Sequence, residues 1–115
     1  MSDCLFCKIA AGEIPAAGVR KNDDYLAFRD INPQAPTHLL AIPVRHIASL
    51  NEVKDGQDGH LLGELMSFAR DVAREAGLAN KGYRVVVNTN HDGGQTVNHL
   101  HLHILGGREM RWPPG

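Results

Sequence analysis

Between Asp58 and Ala76 apolar residues return every three or four positions, at Leu61, Leu65, Phe68, Val72 and Ala76, with Leu62, Ala69 and Ala73 widening the stripe. That spacing predicts one long amphipathic helix with Glu64, Ser67, Arg70, Asp71, Arg74 and Glu75 in solvent. Asp58 is the expected N-cap and Gly77 the stop. Elsewhere the apolar runs are short. Tyr25 to Arg29, His38 to Pro43 and Tyr83 to Asn88 read as strands, and Val19 to Lys21 as a further strand joined to the first by the turn Asn22-Asp23-Asp24. Asp30 to Pro36 is a proline-punctuated loop. Short helices are expected over Cys4 to Ala11, ending at Gly12, and from about His46 to Leu50. Strands first, one long helix, then two strands joined by a direct loop: this order predicts an antiparallel α+β domain and offers no βαβ dinucleotide unit.

One segment departs from ordinary strand chemistry. In His99-Leu100-His101-Leu102-His103-Ile104-Leu105 three histidines alternate with aliphatic residues. On a strand, one face would carry three imidazoles while Leu100, Leu102 and Ile104 enter a core. A single strand histidine is usually a satisfied polar residue, but three in alternation leave two readings. They could hold a metal together with a remote ligand, or supply a nucleophile whose other ring nitrogen is held by an acceptor such as a neighbouring carbonyl. The loop from Asn88 to His99 is longer than a tight hairpin. Its Gly93-Gly94, Gln95 and Thr96 could cradle phosphate oxygens, or merely join two strands.

Composition narrows the partners. The chain has 115 residues and a net charge of −1, enough for one domain spanning 1–115. With no basic block, neither nucleic acid nor a membrane surface is an expected partner, and a phosphate-bearing ligand should be small. No apolar run approaches a membrane span. The start, Met1 to Lys8, lacks a signal-peptide pattern, and two cysteines only two residues apart suit a reducing, cytoplasmic setting. Cys4 and Cys7 supply two of the four ligands that zinc takes. Two reduced cysteines on a short packed helix are the alternative. His60 and His91 read as solvated.

These residues resemble the histidine triad superfamily, whose signature is His-x-His-x-His followed by apolar residues. The chain is similar, within it, to the histidine triad nucleotide-binding proteins of the purine nucleoside phosphoramidase type. Asp30-Ile31-Asn32-Pro33-Gln34-Ala35-Pro36-Thr37-His38, Gly82-Tyr83-Arg84, Val87-Asn88, Asp92-Gly93-Gly94-Gln95, His99 through Gly107-Arg108 and Trp112-Pro113-Pro114-Gly115 carry the likeness, which runs over essentially the whole chain.

The resemblance implies a five-stranded antiparallel sheet with one long and one or two short helices, pairing into a ten-stranded sheet in a homodimer. It implies hydrolysis of purine nucleoside 5′-phosphoramidates and acyl-adenylates through a nucleotidyl-histidine. His101 would attack phosphorus and His103 would donate to phosphate oxygen or the departing group. The His99 carbonyl would orient His101, with His38 in support. Asn88, Gly94, Gln95, Thr96 and Val97 would line the phosphate region, and Asp30 would accept the ribose hydroxyls. Leu5, Phe6, Ile9, Phe28 and Ile31 would form the purine slot, although by pattern alone they are equally core residues. Trp112 would reach toward the partner's site. No cofactor is required for this chemistry. Some superfamily members bind structural zinc through a Cys pair, the histidine after Pro-x-Arg and the first triad histidine, which here are Cys4, Cys7, His46 and His99. The alternatives are a dinucleoside polyphosphate hydrolase, a nucleotide-sensing or docking module, and a non-catalytic zinc protein.

Overall fold

The computed structural model describes residues 3–115. Its order is α1 (Leu5–Ala10), β1 (Gly18–Lys21), β2 (Tyr25–Arg29), β3 (Thr37–Pro43), a 3₁₀ turn (Leu50–Glu52), α2 (Asp55–Asp58), α3 (Leu61–Glu75), β4 (Tyr83–Val86) and β5 (Leu102–Gly106). The five strands form one antiparallel sheet in the order β1-β2-β3-β5-β4. The expected α+β class and five-stranded sheet are therefore present.

The period of two along each strand sorts side chains between two layers. Tyr25, Ala27, Leu39, Ala41, Leu102 and Ile104 face α3, whose Leu65, Phe68, Ala69, Val72 and Ala73 complete the main core. Leu26, Phe28, Leu40 and Ile42 face the other way, where Phe6 of α1 covers them. Both faces of β2 and β3 are thus occupied, which is why their sequences are nearly unbroken apolar runs rather than alternating ones. On the α1 side, β5 presents His103 and Leu105 opposite Leu40 and His38 of β3. The imidazole-bearing face is therefore the one that α3 leaves uncovered.

Four elements differ from the sequence expectation, and at the long helix and the His46 segment the cause is a polar group that found another partner. The long helix does not start at Asp58. That carboxylate turns inward, accepts the Lys54 N–H at 2.8 Å and pairs with Arg45. These contacts hold it below the usual carboxylate range, the Lys54 N–H first. The helix breaks at Gly59 and restarts after His60, which is exposed. Its end is as expected: Gly77 at φ +80° lets the N–H groups of Gly77 and Leu78 return to the carbonyls of Arg74 and Ala73.

The short helix expected from His46 is absent. The Ile47 carbonyl accepts from Leu100 N–H at 2.7 Å and the Ala48 carbonyl from the Gln95 side chain at 2.8 Å, so this segment is committed to the triad. A single 3₁₀ turn, capped by Ser49, follows instead. β4 ends at Val86, not Asn88. Regular pairing of β5 begins only at Leu102, leaving His99 to His101 as an irregular approach to the strand. Leu100, Leu102 and Ile104 nevertheless enter the main core, as the alternation predicts.

Candidate active site

The three imidazoles do not act as one row. His99, fully buried, turns its ring toward the N-terminal helix, whereas His103 lies beside both His38 and His101. The Phe6 ring stands edge-on to both His99 and His101, at centroid distances of 5.9 and 5.1 Å, and so walls off the first from the second.

Hydrogen bonds fix which nitrogen of each ring carries a proton. His101 Nδ1 lies 2.6 Å from the His99 carbonyl, an acceptor only, so Nδ1–H donates and Nε2 keeps its lone pair. His38 Nδ1 accepts the Gln34 N–H at 3.0 Å, so the His38 proton sits on Nε2. That Nε2–H lies 2.9 Å from His103 Nδ1, which must accept, leaving His103 with a proton on Nε2. Asp30 Oδ2 stands 3.4 Å from His38 Nε2, and its Oδ1 accepts from Asn32 N–H. A bare nitrogen on His101 therefore neighbours an N–H donor on His103. Burial pushes His38, His99 and His101 below the ordinary imidazole range. His103 falls to about 4, from burial first and then from His101 and His38. All four rings are neutral near pH 7.

Two groups of side chains have the spacing of metal sites, and the same proton accounting separates them. Cys4 Sγ, Cys7 Sγ, His46 Nδ1 and His99 Nδ1 lie within 4.8 Å of one another. His99 Nε2–H donates to the Pro43 carbonyl at 2.8 Å, leaving Nδ1 bare and aimed at the thiols. His46 Nδ1 and His99 Nδ1 are 3.3 Å apart, and Cys4 Sγ and Cys7 Sγ are 3.3 and 3.6 Å from His99 Nδ1. Tetrahedral zinc bonds of about 2.0–2.3 Å put neighbouring ligand atoms roughly 3.3–3.8 Å apart. The donor set fits zinc, including the outer hydrogen bond that orients a ligating imidazole. Asp30, His38 and His103 form the second group. There the outer nitrogen of His38 accepts a hydrogen bond, so the inner nitrogen is protonated and cannot ligate. This group is a hydrogen-bonded relay.

The remaining expected residues are spread around this centre. Phe6 and Phe28 are buried, 5.4 Å apart, with Ile9 and Val97 packed against their cluster. Leu5 is exposed, and Ile31, next to Asp30, is 99% exposed. Asn88 is half-buried just past β4. Gly93 packs so tightly that a Cβ would lie 2.5 Å from the Thr89 carbonyl, and the Gly94 and Gln95 amides close turns onto His91 and Asn90. Gln95 spends its side-chain N–H groups on Ala48 and Val97 carbonyls, so it braces the loop and has no free amide hydrogen for a phosphate. Thr96 is exposed. Trp112 is 82% exposed at the β4 edge, where Arg84 stacks 6.0 Å from its ring centroid and donates to the Arg111 carbonyl. Two contributors were not anticipated: the Gln34 main chain and the Pro43 carbonyl. Main-chain groups carry no residue-type signature, so nothing in the sequence marks them.

The HIT domain family model matches residues 11–110. The chain belongs to the HIT domain family. A HIT family hydrolase from Legionella pneumophila superposes with a TM-score of 0.94 at 58% identity, covering 97% of this chain and 99% of that one. A histidine triad protein from Clostridium difficile gives a TM-score of 0.93 at 42% identity, covering 96% of each chain. In sequence, a 14 kDa zinc-binding protein of Zea mays is 47% identical over 123 residues, covering 99% of this chain and 89% of its own length. Among the described residues, no helix of this HIT domain is long and apolar enough to cross a membrane.

Proposed function

We propose that this HIT domain hydrolyses purine nucleoside 5′-phosphoramidates and acyl-adenylates through a nucleotidyl-histidine on His101. The observation that carries the reading is the 2.6 Å hydrogen bond from His101 Nδ1–H to the His99 carbonyl, which leaves Nε2 unprotonated beside the His103 donor. His101 Nε2 attacks the α-phosphorus and the P–N bond breaks. The amine leaves with a proton from water. Water then attacks the same phosphorus, the P–Nε2 bond breaks, and a nucleoside 5′-monophosphate departs, its surplus proton passing to solvent. Two displacements replace one difficult attack. His103 Nε2–H serves the phosphate oxygen on which charge accumulates. Asp30 faces the ribose hydroxyls, and Phe6, Phe28 and Ile9 back the purine.

Zinc at Cys4, Cys7, His46 and His99 belongs to the same reading. With four protein ligands and no open position, the ion would supply structural cross-linking and no Lewis acid to the substrate. The relative from Zea mays, named as zinc-binding, supports it. Two copies would join through β4, the sheet edge nearest the tail, giving ten strands and bringing Trp112 toward the partner's site.

Steady-state hydrolysis of an adenosine phosphoramidate by wild type and His101→Ala tests the proposal. The variant should lose about 10³-fold or more in kcat, as a missing nucleophile requires. Equal rates, or wild type that binds AMP and turns nothing over, would leave a binding module instead.

A further inference from the structure

We propose that Arg108, outside the triad, is a positioning residue that sets the hydrogen-bonding state of His103 through Gln34 and His38. The turn after β5 folds back onto the loop that precedes β3. Gly107, at φ +93°, lies so close to Pro36 that a Cβ there would stand 2.8 Å from the proline Cβ. The next residue, Arg108, donates from Nη2 to the Gln34 carbonyl at 3.1 Å and from Nη1 to the Glu109 carbonyl at 3.3 Å. The Gln34 side chain donates to the Asn32 carbonyl at 3.0 Å. Gln34 is thereby held at both ends, with its own N–H aimed at His38 Nδ1, 3.0 Å away.

The rest follows from counting protons. While the Gln34 N–H occupies His38 Nδ1, a proton on that nitrogen would put two hydrogens face to face in a buried place. His38 must keep its proton on Nε2, where it donates to His103 Nδ1. A neutral His103 then has one location for its own proton, Nε2. If Gln34 drifts, His38 can move its proton to Nδ1, and His103 can take Nδ1–H with a bare Nε2. A lone pair would then meet the phosphate oxygen that the donor should meet. Arg108 touches none of the reacting atoms, yet it governs which of these two arrangements prevails. The same constraint makes His103 a neutral hydrogen-bond donor and not an imidazolium acid.

The inference rests on the role proposed for His103, but its test does not depend on turnover. Long-range ¹H–¹⁵N spectra of histidine-labelled protein report the tautomer of every ring. Wild type should show Nε2–H at His38 and His103 and Nδ1–H at His101. Arg108→Met should mix the tautomers at His38 and His103 while His101 keeps its own, and Arg108→Lys should restore most of the wild-type pattern. A Gln34 ester linkage, which deletes only the N–H, should reproduce the Arg108→Met spectrum. In the phosphoramidate assay Arg108→Met should lower kcat about tenfold with little change in KM, less than the roughly 10²–10³-fold cost of deleting a transition-state donor outright, because the variant mixes the two tautomers and keeps a fraction with the donor in place. Unchanged His38 and His103 spectra in Arg108→Met would overturn the proposal, whether or not the ester changes them. Wild-type spectra of the expected form from a protein that hydrolyses nothing would overturn the phosphoramidase reading alone.

Discussion

At the scale of single residues, chemistry here is decided by which ring nitrogen is bare. His38 and His103 are buried neutral, below the ordinary imidazole range, whereas in the unfolded chain they titrate near 6.5. The unfolded state therefore binds more protons at any pH between about 4 and 6.5, and stability rises with pH across that window. The contribution is complete above about pH 6.5 and is lost as the pH falls toward 4. Asp30 opposes part of the shift at both rings without reversing it. Urea midpoints at pH 7 and pH 5 should show wild type losing stability on acidification, and His103→Gln losing less. A midpoint independent of pH over that range would show that these rings are not held neutral by the fold.

At the scale of elements, α1 is the informative case. It has six residues, too few to persist on its own, and buries one large side chain, Phe6. Its Cys4 Sγ accepts from Cys7 N–H, and both sulfurs face His46 and His99. Chelation, or Cys4→Ser with Cys7→Ser, should remove about one zinc per chain and raise amide exchange across residues 4–11, while α3 keeps its protection. Full protection of α1 after the thiols are gone would mean that Phe6 packing suffices.

α3, β2, β3 and the burial of Leu100, Leu102 and Ile104 are legible in the sequence because side-chain periodicity encodes them. The Asp58 cap, the His46 helix and the full length of the histidine strand are not legible there, because Lys54 N–H and Arg45 take the Asp58 carboxylate and Leu100 N–H takes the Ile47 carbonyl. The Cys4, Cys7, His46 and His99 set was assembled from family likeness, since its members are up to 95 positions apart. Which histidine carries which proton depends on main-chain acceptors and donors, and these leave no trace in residue type.

At the scale of the whole molecule, the sheet keeps β4 at one edge, with the Arg84–Trp112 contact beside it. Sedimentation should show a dimer of about twice the 12.6 kDa chain mass. A proline in β4 at an outward-facing amide should yield monomers; a wild-type monomer at micromolar concentration would end the ten-stranded reading. The two-layer sorting of β5 also limits how this gene can change length. Because imidazoles and core aliphatics occupy alternate positions, one inserted codon between 101 and 104 would trade their places, putting histidines into the α3 interior and leucines where phosphate should bind. An insertion scan should find that stretch as intolerant of lengthening as any in the chain, whereas the exposed link between Pro15 and Ala16 should accept an extra residue. Drift by substitution remains open to this strand, while drift by insertion is closed.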